Sequence, residues 1–250
     1  MARVWQRLAV ATLSVSLVVV LAQCKGMKPS PGGPCVSNGK YQCSDPSNAL
    51  LCQNGKLVTM PCRGPMGCTG LGTASSCDDN LAQEGDACQQ TLNENYSCST
   101  DHVKELICKD GKFAVARTCK GPKKCAVTGD LINCDDSMAD VGDVCVAEQG
   151  DANYGCSTDK KTEVVCEAGS GKFQLSNTCR GQKGCWIEND TVHCDQSAAR
   201  EGDKCRPVDN HSCSEDAHSE LKCSAQFVWV KQRDCKRDGC KIKSNEVYCD

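Results

Sequence analysis

The sequence predicts a small disulfide-rich, mostly β fold made of four tandem six-cysteine units, each of two short β-hairpins, preceded by an N-terminal signal helix. Three observations carry that expectation. Cysteine accounts for 25 of the 250 residues, a share at which composition alone points to a disulfide scaffold. Aromatic residues amount to 4%, too few for cores of ordinary size, so crosslinks must replace burial. A cadence of Cys, five residues, Cys, eight residues, Cys then recurs at Cys62, Cys68, Cys77; at Cys119, Cys125, Cys134; and at Cys179, Cys185, Cys194. A fourth copy, Cys235, Cys240, Cys249, shortens the first gap to four. Aspartate follows each third cysteine, at Asp78, Asp135, Asp195 and Asp250.

The chain opens with a leader. Arg3 and Arg7 form a charged start, and the apolar stretch 8–22 is interrupted only by Thr12, Ser14 and Ser16. That is shorter than the ~20 apolar residues a spanning helix needs and has the regions of a secretory signal. Residues 1–23 therefore read as a lipoprotein signal peptide, because Leu21-Ala22-Gln23-Cys24 resembles the lipobox at which a cysteine is acylated after cleavage. Cysteine arithmetic agrees: four sets of six leave one over, Cys24, and lipidation would consume that thiol. The alternative is ordinary cleavage after Ala22, which leaves Cys24 free. Residues 24–34, with GMKPSPGGP at 26–34, read as a lipid-anchored Gly, Pro and Ser-rich tether.

The four repeats follow at 35–78, 88–135, 145–195 and 205–250, separated by short linkers at 79–87, 136–144 and 196–204. Each linker has a central alanine and a Gly-Asp pair before the next cysteine, a pattern that fits one helical turn between an Asp cap and a Gly stop. Within the second repeat, strands at 105–108 and 112–115 flank Asp110-Gly111, a two-residue hairpin turn. Strand alternation then places Leu106, Cys108, Phe113, Val115 and Cys119 on one face. The first repeat has the same arrangement around Asn54-Gly55; in the third the loop is 167–171 before Phe173, and in the fourth it is 224–226 before Phe227. A second hairpin fits the eight-residue gap, with turns at Gly72-Thr73, Gly129-Asp130, Asn189-Asp190 and Ser244-Asn245.

Six cysteines allow 15 pairings. Centring a turn in the second hairpin sets its two cysteines opposite each other, within the separation a disulfide tolerates. The expected bonds are first to third, second to fourth and fifth to sixth, that is Cys88–Cys108 and Cys98–Cys119, with Cys68–Cys77, Cys125–Cys134, Cys185–Cys194 and Cys240–Cys249 closing the four repeats. Metal is not expected: there is no CxxC pair, and His102, His193, His211 and His218 do not recur at matching positions. Asp78, Asp86, Asp135, Asp143, Asp195 and Asp203 recur without an EF-hand-like loop and read as caps and turn formers. No catalytic residue and no cofactor is expected. The chain has no GxSxG elbow, Gly169-Ser170-Gly171-Lys172 lacks phosphate-loop spacing, and bridged cysteines cannot act as nucleophiles.

One recurrent feature is a candidate for binding. The loop after the fourth cysteine opens with Arg63, Lys120, Arg180 or Lys236, and Lys123, Lys124, Lys183 and Arg237 add further charge. Linked cationic loops can hold an anionic polysaccharide by multivalency; the plainer reading is that short pinned loops are exposed and polar. Trp186 and Trp229 occupy non-equivalent positions and read as covers for disulfides rather than as sugar platforms. A formal net charge of −3 gives no footprint for nucleic acid.

Taken together, the leader, the CSTD or CSED starts at Cys98, Cys156 and Cys213, the C[RK]G loops and the CDxS…GD spacers resemble the cysteine-rich tandem-repeat lipoproteins of myxobacterial envelopes. The resemblance spans the chain and implies an exported bacterial protein, held at the outer membrane or cell surface through acylated Cys24 in the lipid bilayer. It implies no activity. Two functions are expected to compete: a binding or adhesion module for an envelope or matrix polymer or a partner protein, and a structural spacer of an envelope assembly. A protease inhibitor is a lesser alternative, since no extended bait loop recurs.

Overall fold

Asn54-Gly55 and Asp110-Gly111 both adopt left-handed backbone, with φ of 51° and 78° and of 52° and 78°, the conformation that closes a two-residue hairpin without splaying its strands. The computed structural model describes residues 28–90, 94–147, 151–236, 238–243 and 246–249; the leader, Cys24, Arg237, the Ser244-Asn245 turn and Asp250 lie outside them. Among the described residues the protein is mostly β, with one short 3-10 turn at Gly72–Ala74 and no α-helix. Asn48–Gln53 pairs with Lys56–Pro61, and Lys104–Lys109 with Lys112–Thr118, around those turns. The fourth segment departs from the expected pattern. Its hairpin joins Ser219–Cys223 to Trp229–Asp234, so Trp229, not Phe227, sits opposite Cys223. Trp229 is fully buried where Phe113 and Phe173 stand in the preceding segments.

Each first hairpin also carries a strand absent from the expectation. Tyr41–Asp45, Tyr96–Ser99, Ala152–Cys156 and His211–Ser214 add antiparallel to its first strand. These segments contain the second cysteine and too few apolar residues to register as strands by pattern. Nor is the expected helical turn found in the linkers. Leu81–Ala82 and Ala198–Ala199 run as parallel strands beside Cys98-Ser99 and Cys213-Ser214, and Met138 bridges Cys156 in the same sense. The central alanines Ala82, Ala139 and Ala199 are 2%, 3% and 1% exposed and belong to the cores of the segments that follow. The linker is thus part of the next sheet, because an alanine at the edge brings two backbones close enough to hydrogen bond while filling the core beside the first disulfide.

The first segment solves the same edge differently. Cys43 N–H donates to Ser75 Oγ at 3.2 Å, whereas Cys98 and Cys156 donate to the linker carbonyls of Asn80 and Ser137 at 2.9 and 2.8 Å. The small-residue stretch expected to turn at Gly72-Thr73 instead winds into the 3-10 turn, leaving a second hairpin of only Cys68–Thr69 against Ser76–Cys77. A strand edge that would otherwise offer unpaired amides is thereby covered.

Each later segment carries a β-bulge, and the second and third are each divided into two small cores. The register breaks between Glu105 and Leu106, Glu163 and Val164, and Glu220 and Leu221. One extra residue reverses the alternation that follows it. Leu106, Cys108 and Phe113 therefore pack around Cys88 as expected, while Cys119 is carried to a separate cluster with Cys98 and Cys125. Val115 lies at the margin and is exposed. The bulge glutamates are partnered: Glu105, buried, against Arg117, Glu163, half-buried, against Ser176 and Asn177, and Glu220, buried, against Arg233 and His211.

Twelve disulfides join the described cysteines. First pairs with third, as in Cys88–Cys108. The remaining bonds correct the expected set: second pairs with fifth and fourth with sixth. Cys98 bonds Cys125 rather than Cys119, and Cys119 bonds Cys134. Cys68–Cys77, Cys125–Cys134, Cys185–Cys194 and Cys240–Cys249 are opposed across their hairpins but not bonded. In the first segment the sulfurs of Cys62, Cys68 and Cys77 lie within 4.8 Å of one another, so proximity alone does not select the pair across the hairpin. A bond across a hairpin would close a short loop that its ladder already holds. The observed bonds span separations of 25 and 15, tie hairpin to sheet, and remove more freedom from the unfolded chain.

Candidate functional site: the segment junctions

Every junction is assembled from the C[RK]G loop and the aspartate that ends its repeat. Asp135 Oδ2 accepts the Lys123 amide at 2.8 Å and Oδ1 accepts the Ser137 amide at 3.1 Å. Asp195 does the same for Lys183 and Ser197, each at 3.0 Å, and Asp78 for Met66 and Asn80, at 3.0 and 3.3 Å. The carboxylate lies so close to Gly64, Gly121 and Gly181 that a Cβ at any of them would overlap it. That overlap accounts for the glycine of the motif. Burial pushes the Asp135 and Asp195 carboxyls up, but hydrogen bonds from Ser137, Ser197 and the loop amides outweigh it and hold both below the usual range.

The recurrent loop cations turn inward to the chain's own linkers. Arg63 holds Asp86 through Nε at 2.7 Å and Nη2 at 3.2 Å. Lys120 meets Asp140 at 2.8 Å and Asp143 at 2.6 Å, and Arg180 pairs with Asp203 through both Nε and Nη2. Asp86, Asp143 and Asp203 are the aspartates of the Gly-Asp pairs, and each also accepts an amide of its own turn, from Gln83, Asp140 or Arg200. A basic residue of one segment thereby clamps the turn that leads into the next. Geometry of this kind, forked in the arginine cases, is stronger than an isolated surface pair.

The other candidate residues are distributed differently. Lys123 reaches Asp190 in the next segment's hairpin at 2.6 Å, with both side chains largely exposed. Lys124 is exposed and takes left-handed backbone, φ 54°, where the other loops have Gly67, Gly184 and Gly239. Lys183 Nζ lies 5.2 Å from the Trp186 ring centroid. Lys236 makes no ion pair among the described residues, and Arg237 lies outside them. The cysteines from Cys35 onward that the structure describes are bridged, and of the histidines His102 bonds the Cys125 carbonyl, His193 stacks on Trp186 and His211 meets Glu220. The bulge glutamates and the clamp aspartates are the residues sequence reasoning missed as partners. Their signal was present in the recurring Gly-Asp, which co-occurs with a recurring basic residue one loop upstream.

The clamp has a defined pH window. Hydrogen bonding to Lys120 holds the Asp140 carboxyl below the usual range. Lys120 loses some basicity to burial, but Asp140 and Asp143 outweigh this and raise it. Stability from the depressed Asp140 is present above its unfolded value and lost as pH falls through its folded one. That from the raised Lys120 is present below its unfolded value and lost as pH rises through its folded one. The clamp is therefore complete between the carboxylate and lysine ranges. Lys120→Ala should cost about 1 kcal/mol after allowance for solvent screening, with faster amide exchange confined to 137–144 and a flatter loss of protection on acidification. Unchanged exchange there would show that the ion pairs contribute nothing.

Comparison with known proteins finds no matching family model, no matching curated protein and no matching solved structure. The class defined by the fold is therefore a disulfide-crosslinked, mostly β chain, and its dense crosslinking places it in an oxidising, extracellular or exported environment.

Proposed function

We propose that this chain is an exported, non-catalytic binding or adhesion module of a bacterial envelope, built as four tandem units and anchored in the outer membrane or at the cell surface through acylated Cys24. Its ligand is an envelope or matrix polymer, or a partner protein. The observation that carries the reading is the junction clamp. Repeated with the same residue roles between successive segments, it holds neighbouring surfaces in a set relation, which multivalent contact with a polymer requires. The same clamp pairs Arg63, Lys120 and Arg180 with linker aspartates, which weighs against these three as the principal ligand contacts. Their internal use also favours the second reading, a structural spacer of an envelope assembly.

The test is retention of the oxidised full chain on isolated envelope and matrix polysaccharide, before and after reduction. Retention that is lost on reduction supports the module. A chain that passes through every such fraction in both states removes the polymer as ligand and favours the spacer. Intact mass of the processed protein addresses the anchor: an acyl adduct on Cys24 supports it, and a free thiol at that position removes it.

A further inference from the structure

The described residues contain two cation–π contacts, and both cations line the same groove between the third and fourth segments. Lys183 is held over Trp186 at 5.2 Å and Arg206 over Phe227 at 5.1 Å. Neither is neutralised closely. Lys183 makes no ion pair among the described residues, and Arg206 has only Glu167, 3.7 Å away with both side chains well exposed. The groove measures about 570 Å³, and Trp186 and Ile242 supply apolar surface within it. Gln196 also lines it; its Nε2 donates to the Arg206 carbonyl at 3.2 Å, while its Oε1 is buried with no partner. The nearby carboxylates are committed elsewhere, Asp195 to two loop amides and Glu220 to His211 and Arg233.

The corresponding groove between the second and third segments, about 660 Å³, is built differently. Of its two lysines Lys123 is paired with Asp190 and Lys124 holds no cation–π contact; Tyr154 lines it, but Ala126 stands where Trp186 does. Lys183, with no ion pair among the described residues, and Arg206, loosely paired with Glu167, therefore meet beside an indole and an orphan acceptor at this junction.

We propose that this groove binds a segment of acidic polysaccharide, with Lys183 and Arg206 receiving its carboxylates beside the edge of Trp186, whose ring stacks on His193 and carries Lys183. The proposal rests on the polymer-binding reading above and names its site and ligand class. Cations pre-positioned by aromatic rings lose little freedom on meeting an anion. An indole edge with flanking amides suits the mixed apolar and hydroxylated surface of a pyranose better than a phosphate alone.

The experiment measures binding of the oxidised full chain to polygalacturonate, with neutral dextran, single-stranded DNA and anionic phospholipid vesicles as competitors. Wild type should bind the polyuronate and not dextran. Lys183→Ala/Arg206→Ala should weaken binding roughly tenfold or more, while Lys123→Ala, at the equivalent junction, leaves it unchanged. Disulfide mapping of each variant establishes that it is folded. Equal binding by the double variant and wild type overturns the site while leaving the polymer-binding reading intact. Equal or stronger affinity for DNA or vesicles overturns the ligand class. Failure of wild type to bind polygalacturonate overturns the proposal; the polymer-binding reading beneath it falls only if envelope and matrix polysaccharide also fail to retain the oxidised chain.

Discussion

Peptide mapping of the oxidised protein will recover Cys98 joined to Cys125 and Cys119 joined to Cys134, and Cys98→Ala/Cys125→Ala will cost about 3.5 kcal/mol in the second segment. The figure follows from a chain separation of 27 and the loss of loop-closure entropy in the unfolded state. The bond also supports one of two small cores in that segment, with Leu81, Val127 and Ile132 packed around Cys98, Cys119 and Cys125. A chain of repeats need not unfold in one step. The measurement is therefore amide exchange at Leu81, Val127 and Ile132, compared with Leu221 and Trp229 in the fourth segment as an internal reference. Exchange should accelerate in the second segment and stay unchanged in the fourth. A recovered Cys125–Cys134 peptide would overturn the assignment outright.

The second large effect is expected at Arg117. Its guanidinium lies between Glu105 and Asp136, and the Arg117 and Glu105 side chains are only 14% and 7% exposed. Removing one partner of a buried ion pair leaves an uncompensated charge, so Arg117→Ala should destabilise the second segment by about 3 to 5 kcal/mol. Burial already pushes the Asp136 carboxyl up, with Arg117 opposing it. A carboxyl whose folded pKa is raised takes up its proton more readily in the folded state, so acidification relieves its cost. The variant should therefore recover stability as pH falls through the carboxylate range, opposite in sign to the loss from the depressed Asp135. Replacing both partners, Glu105→Gln with Arg117→Met, should cost less than Arg117→Ala alone. A loss that does not vary with pH would show that packing, not charge, is what Arg117 contributes.

Much of the local architecture was legible in the chain itself. Asn54-Gly55 and Asp110-Gly111 announced their hairpins because few residue pairs tolerate two successive left-handed positions. Gly129-Asp130 and Asn189-Asp190 placed the second hairpins by centring a turn between cysteines. Leu106 and Phe113 were assigned to the core by alternation. The strands at Tyr96–Ser99 and its counterparts were not legible, since they are short, polar and stabilised by what packs beside them. The strand after the fourth segment's loop was placed two residues early, at Phe227 rather than Trp229, because that loop holds Phe227 in a left-handed conformation, which no turn motif signalled. The candidate binding loops were located in sequence, but the linker aspartates that Arg63, Lys120 and Arg180 hold were not recognised there as their partners. Arg63, Lys120 and Arg180 repeat with the period of the chain because the aspartates they hold repeat with it.

The sequence by itself determined the composition of this protein: a crosslinked β chain with a sixfold cysteine count, a recurring basic loop, a recurring Gly-Asp and turns at set places. Those features follow from covalent spacing and from conformations only certain residues adopt, so they are local. Tertiary structure alone decided which sulfurs bond, because the second hairpin folds against the sheet and brings together sulfurs far apart in the chain, as at Cys62, Cys68 and Cys77; the first segment forms the same bonds without the bulge of the later three. It also decided that the loop cations grip the next linker, and that Lys183 and Arg206 meet at one groove. Such choices depend on distances between residues far apart in the chain, and spacing along a chain does not encode them.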